Sequence, residues 1–204
     1  RDILIEQVQT APIQTFQPQN NNQPQYDIRF SHAVKALFFA ARNTTIYSQW
    51  SNYTTYCPEI VQKGAGCSRA VVVYNGPLNT DPVINTSLIY ENTQRLYQMG
   101  SDYYSLVNPW YHAPVIPNET GYHEYSYSLD FYCLDPMGST NYGKLTNVSI
   151  IPAASNDAYN ANSASSSLQT TSSTFVSGYG LQQTYSFITT CVNNNIIRIS
   201  GGAQ

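Results

Sequence analysis

Charge is scarce in this sequence. Lys, Arg, Asp and Glu make up 10% of its 204 residues, against about a quarter in ordinary soluble domains. Nine basic residues stand against twelve acidic ones, for a net charge of −3. No two basic residues are adjacent. Phosphate neutralisation needs clustered Lys and Arg, so nucleic acid is not expected as a partner, nor is a polybasic membrane anchor. Long apolar runs are also missing. The most apolar stretch, Ala33–Ala41, carries Lys35 and is far shorter than the ~20 residues that span a bilayer, so direct membrane insertion is not expected. Arg1-Asp2-Ile3-Leu4 lacks a leader's charged-then-apolar order and an initiating Met. Arg1 is therefore expected to be an internal position of a longer chain. Cysteine is sparse: Cys57, Cys67, Cys133 and Cys191 form no CxxC pair, which speaks against zinc and for reduced thiols.

Asn, Gln, Ser, Thr and 18 Tyr replace the missing charge. Such a surface is hydrated but weakly self-repelling, so copies can approach one another at small electrostatic cost. Along the chain the dominant pattern is period two, the signature of half-buried strands. It runs through Ile3–Val8, Tyr26–Asn43, Val83–Glu91 and Tyr122–Cys133, and Val71–Tyr74, Lys144–Ile151 and Gln183–Ser200 also read as strands. In Tyr26–Asn43, Ile28, Phe30, Val34, Ala36, Phe38 and Ala40 share one parity. Val34, Leu37, Phe38 and Ala41 also fit a helical period; the β-favouring start at Tyr26–Phe30 favours strand. Residues 11–25, rich in Pro, Asn and Gln, read as a loop. Residues 154–180, rich in Ser, Asn and Thr, read as a long mobile one. Ser101–Val107 suits a short helix before Pro109. The expectation is an all-β fold, an eight-stranded jelly-roll sandwich with long loop insertions, filling 1–204 as one domain.

Chemistry is harder to find. His32, His112 and His123 form neither His-x-His nor a paired metalloprotease motif, and no Gly-x-Ser-x-Gly elbow occurs. Asp130 with Asp135 is a weak carboxylate pair. No metal, cofactor or catalytic residue is assigned, and the chain is not expected to be an enzyme. Asn-x-Ser/Thr sequons start at Asn43, Asn52, Asn85, Asn118 and Asn147. Chance accounts for most of them, and unmodified Asn is the preferred reading. The aromatic cluster Tyr103–Tyr111, with Trp110 and Tyr111 at its end, suits the core or a subunit interface better than a sugar platform. Pro136–Gly143 reads as a tight turn feeding a strand at Lys144. Gly138 and Gly143 are expected to supply positive φ there, and Asn141 to bond its own backbone.

Several blocks together resemble a known family. They are Phe30–Ala40, Leu88–Thr93, Tyr104–Tyr111, Tyr125–Leu129 followed by Pro136–Asn147, and Asn195–Ile199. In this order they resemble the major capsid proteins of nucleocytoplasmic large DNA viruses, closest to the asfarvirus and iridovirus type, with a giant amoebal relative also fitting. Met137 stands where that family's turn carries Ser. The resemblance implies two tandem jelly rolls, of which this chain matches the C-terminal one. It further implies homotrimers forming pseudo-hexagonal capsomers of an icosahedral virion shell, minor capsid proteins as neighbours, and assembly in the host cytoplasm. The competing reading is a glycan- or receptor-binding jelly roll on a virion surface.

Overall fold

The computed structural model describes residues 1–19, 23–45, 49–56, 59–61, 71–73, 80–163 and 183–200. Among them lie twelve strands, several only two or three residues long, where the sequence reading counts eight. The first sheet has the order β1 (Asp2–Thr10), β12 (Tyr185–Arg198), β4 (Ala33–Asn43), β10 (Thr140–Asn141). Two further strands join it: β2 (Gln14–Phe16) pairs with β12, and β9 (His123–Ser126) with β4. The second sheet runs β3 (Tyr26–Asp27), β11 (Val148–Ala154), β7 (Val83–Tyr90), β8 (Thr93–Gly100). A separate hairpin joins β5 (Glu59–Val61) to β6 (Val71–Val73). Every pairing is antiparallel.

The two large sheets close on an aromatic core. Phe16, Leu37, Phe39, Tyr185 and Phe187 of the first meet Leu88, Val148 and Ile150 of the second, all buried. Tyr26 of β3 stacks on Phe187 of β12 at 5.0 Å. Behind them a hydroxyl chain links Tyr90 to Tyr127, and Tyr127 to Tyr142 at 2.8 Å. Burial pushes the Tyr127 and Tyr142 hydroxyls well above their ordinary pKa, so this chain stays neutral.

The ambiguous period of β4 has a structural cause. Ala36 pairs with Val192, but the next pair is Val34 with Asn193, so the register slips at Lys35. This bulge turns Val34 to the same buried side as Leu37, Phe39 and Ala41. Helix-like spacing thus arises from a strand with one extra residue. Phe38 and Ala40, grouped with Val34 by parity, face the other way.

Other expectations need correction. The strand in Tyr122–Cys133 ends at Ser126. Beyond it Ser126 Oγ donates to Ser128 O at 2.8 Å and Ser128 Oγ to Asp130 O at 3.0 Å, so serine hydroxyls take over from the ladder. The strand placed at Lys144–Ile151 starts at Val148 and runs through Pro152 to Ala154. Ile28 N donates to Val148 O at 2.8 Å; alternation then points the backbone of Ile150 and Pro152 to the β3 side. β3 ends its pairing at Tyr26 opposite Ile150, so Pro152 forfeits no ladder bond.

The helix expected to stop before Pro109 continues past it. A π-helical turn, Tyr103–Val107, passes into α1 (Asn108–His112). Asn108 N–H reaches back five residues to Tyr103 O. This widened turn makes room for the proline ring, which would otherwise meet the carbonyl one turn earlier. Within 154–180, residues Asn156–Ser163 are a helix, α2, with Ala158 and Ala161 buried. Ser155 Oγ caps it by accepting from Ala158 N at 3.2 Å. Residues 164–180 of that segment lie outside the described residues. Within the expected loop 11–25, β2 pairs Phe16 with Tyr185.

Candidate functional site

Cross-strand partners share a face of an antiparallel sheet. The first sheet's outer rows can therefore be read from its register. One row is Val8, Val192, Ala36 and Ser126; another is Thr10, Thr190, Phe38 and Glu124. Leu4 and Ile196 extend this face where β1 and β12 pair beyond the end of β4. Sandwich outer faces are normally polar. Here Leu4, Val8 and Ile196 are exposed, and the rest carries Phe38, Ala36 and Val192.

Beyond Tyr127, which stays anchored on the core side, residues 129–137 form a strap across part of this face. Phe131 packs edge-on against Phe38 at 5.7 Å. Lys35, 0% exposed, donates from Nζ to Cys133 O at 2.7 Å and to Glu6 Oε1 at 2.5 Å. Leu129 N bonds Met137 O at 3.2 Å, closing the strap on itself. His112 Nδ1 meets Leu129 O at 3.1 Å and ties the strap to α1. Leu129, Tyr132, Leu134 and Met137 point to solvent. Cross-strand from Phe38 on this face lies Glu124, 6% exposed, whose Oε1 has no hydrogen-bond partner among the described residues. Burial alone pushes its carboxyl up to about 7.

Trp110 and Tyr111 are 70% and 72% exposed, so they lie outside the core of this sandwich. The core member of that aromatic cluster is Tyr104, whose hydroxyl donates to Thr86 O at 3.0 Å. Pro136 is exposed at the strap's end, and Gly138 has φ +123. The chain turn itself falls at Asn141–Lys144, where Asn141 Oδ1 accepts from Gly143 N at 3.0 Å. Positive-φ glycines among the described residues are Gly121 and Gly138, not Gly143. A side chain at Gly143 would instead crowd Asn141 Oδ1 at 3.2 Å.

The sequons divide by environment. Asn43 is buried: its amide donates to Thr54 O and Gln183 Oε1, and its Oδ1 accepts from Thr45 N and Oγ1. Asn52 repeats the pattern with Thr54. In both, the sequon threonine closes a local turn with its asparagine, a structural use of the same triplet. Asn85 lies half-buried on β7, while Asn118 and Asn147 are exposed.

Nothing here assembles into chemistry. No group of three or more His, Cys, Asp or Glu converges among the described residues. His32 sits in a positive-φ turn, His112 on the strap, and His123 beneath Phe39, with its ring nitrogens facing Asp81 Oδ2 at 2.7 Å and Phe39 O at 3.2 Å. Asp130 Oδ1 accepts from Tyr132 N within the strap, and Asp135 is exposed. Among the described residues no helix is long and apolar enough to cross a membrane.

Two antiparallel sheets on an aromatic core, with a buried polar network and an apolar outer face, define a structural sandwich of the jelly-roll class. The chain belongs to the large eukaryotic DNA virus major capsid protein family, whose model matches residues 1–204. This is a family of structural proteins of the virus capsid, not of enzymes. The chain is 58% identical to the major capsid protein of Invertebrate iridescent virus 6, over 100% of the chain and 41% of the relative. It is 48% identical to that of Lymphocystis disease virus 1, over 100% and 42%. The chain thus spans about two fifths of the length of these relatives. Among solved structures it resembles the PBCV-1 VP54 capsid protein fitted into a reconstruction of the virophage Sputnik, with TM-score 0.66 and 21% identity over 99% of the chain and 50% of that protein. The Faustovirus major capsid protein follows at TM-score 0.62 and 14% identity, over 98% and 33%.

Proposed function

We propose that this chain is the C-terminal of two jelly rolls in a major capsid protein, and that three copies of the whole protein form a pseudo-hexagonal capsomer of an icosahedral shell. Assembly takes place in the host cytoplasm, with minor capsid proteins as further neighbours. The observation that carries the reading is the apolar face built by the strap and α1: Trp110, Tyr111, Leu129, Tyr132, Leu134 and Met137 are all exposed. Scattered apolar residues need no explanation, but a concentration of them on adjoining segments marks a contact surface. Aromatic residues with few charges are the usual make-up of an interface centre. The share of its relatives that the chain spans, 41%, supports a second domain in the whole protein.

Analytical ultracentrifugation of the whole protein at micromolar concentration tests this. The whole protein is expected as a trimer, and Trp110→Ala with Tyr132→Ala is expected to loosen it at least tenfold. A monomeric whole protein, or a double variant with unchanged association, would sink the reading.

The exposure of Trp110 and Tyr111 also favours a second reading, a glycan- or receptor-binding face. Glycan binding lost on Trp110→Ala, with association intact, would select it.

A further inference from the structure

Among the described residues, Glu124 is the one acid buried without a partner for one of its oxygens. It lies on β9 opposite Phe38, on the outer face of the first sheet. Phe131 of the strap rests on that same Phe38, so the carboxyl lies beneath the strap. An ionised carboxylate in such a place is costly unless a cation meets it. Among the described residues, the neighbouring elements supply none that is free. From β4, Lys35 is taken up by Glu6 of β1 and by Cys133 O. From α1, His112 turns Nδ1 to Leu129 O. From β12, the outer row offers Ile188, Thr190 and Val192. The strap adds Asp130, Tyr132, Cys133 and Asp135, and the segment before β9 adds Glu119 and Tyr122. Every one of these strap and flanking groups is either acidic or neutral when protonated.

We propose that the strap of residues 129–137 is a pH-governed cover: it lies closed on the sheet while the Glu124 carboxyl holds its proton, and lifts when that carboxyl ionises. The strap is suited to this. Beyond Ser128 it is irregular, and it is fastened to the sheet and to α1 by Lys35 to Cys133 O, Phe131 on Phe38 and His112 to Leu129 O. Lifting lets water reach the carboxylate without disturbing the inner core, because His123, Tyr125 and Tyr127, which pack on the core side, precede the part that lifts.

The sign follows from linkage. In the closed form burial holds the carboxyl at about 7, against 4.5 for an ordinary glutamate. Below 4.5 both forms are protonated and pH has no effect. Between 4.5 and 7 only the lifted form releases the proton, so each pH unit favours lifting about tenfold. Above 7 both forms are ionised and the effect levels off. Across the window the lifting equilibrium shifts on the order of a hundredfold.

Hydrogen exchange on the full chain from pH 4.5 to 8, with each rate divided by its intrinsic value, reads this directly. The amides of Leu129 and Tyr132 are bonded within the strap, and so report on it. Their protection is expected to fall about a hundredfold from pH 4.5 to 7 and then hold level, while Ile188 of β12 stays protected. In Glu124→Gln the strap amides should show no such fall. If the two profiles superimpose, then Asp130, Asp135 or His112 governs the strap and the proposal is overturned. A carbon-13 titration of the wild-type Glu124 carboxyl decides independently of whether the variant folds. A midpoint near 7 supports the cover, and one near 4.5 overturns it.

Discussion

Asn141 and Gly121 both hold the backbone at a turn, but by different physics. Asn141 spends its side chain on one exposed bond to Gly143 N. Water competes for such a bond, so Asn141→Ala should lower stability by only about 0.5–1 kcal/mol, read as a shift in the denaturation midpoint. Gly121 has φ +99, and a Cβ there would lie 2.1 Å from the Tyr53 carbonyl oxygen. Backbone cannot step aside as a flexible side chain can, so Gly121→Ala should cost about 2 kcal/mol or more. Equal midpoint shifts for the two variants would contradict this ranking. Cysteine chemistry should separate as sharply. Cys191 is buried on β12, and burial pushes its thiol up to about 12. Cys133 is half-buried on the strap. Because the thiolate is the nucleophile, alkylation of the native protein at pH 8 should leave Cys191 unlabelled while Cys133 reacts. Peptide mapping that finds Cys191 labelled as fast as Cys133 would refute this.

At the scale of the element, several segments owe their form to a single polar group or a single irregularity. α2 lies in a stretch whose composition suggests a loop. Ser155 starts it by capping Ala158 N, and Ala158 and Ala161 bury its inner side. Ser155→Ala should therefore lower stability by about 1 kcal/mol. A broad-specificity protease should also begin to cut within Asn156–Ser163 in that variant, where the parent resists; identical cleavage maps would mean the cap is dispensable. β8 went unforeseen for a related reason. It is an exposed edge strand with little apolar alternation, joined to β7 by a two-residue turn in which Glu91 and Asn92 both have positive φ. Asn accepts that conformation readily and Glu does not. Glu91 is held there by its own N–H on Asn147 O at 2.8 Å. Tertiary contact overrides local preference at this turn, which is why no turn signal marks it.

For the whole molecule, the scarcity of charge makes a definite demand on assembly. Ion pairs among the described residues are Lys35–Glu6, His123–Asp81 and Arg198–Asp2, and each is internal to the chain. In the proposed assembly, contacts through this chain's surface are then expected to rest mainly on apolar and neutral polar groups, which salt does not screen. Association of the whole protein is therefore expected to change less than about threefold in affinity between 50 mM and 500 mM salt in sedimentation equilibrium. A steep loss of association with salt would show that charge pairs hold the copies together.

Much of this was legible beforehand. Period-two patterning and Pro- and Gly-marked loops already specify an all-β sandwich, because alternation is a local consequence of strand geometry. The buried Tyr185 and Phe187 follow from the same pattern, whereas in β4 the parity carried by Phe38 and Ala40 is the outer one and Leu37 and Phe39 fill the core. What the sequence could not state is where the pattern is interrupted. The bulge at Lys35 depends on the register against β12, the widened turn before Pro109 on packing against the sandwich, and the end of β9 on three consecutive outward and inward choices around Ser126 and Ser128. The strap is the clearest case. Tyr125, Tyr127, Leu129 and Phe131 alternate as one strand would, yet Phe131 folds back onto Phe38 and Leu129 faces water. Alternation records which side each residue prefers; only the arrangement of the other strands decides whether a ladder is there to receive it, and which acid, here Glu124, is left beneath.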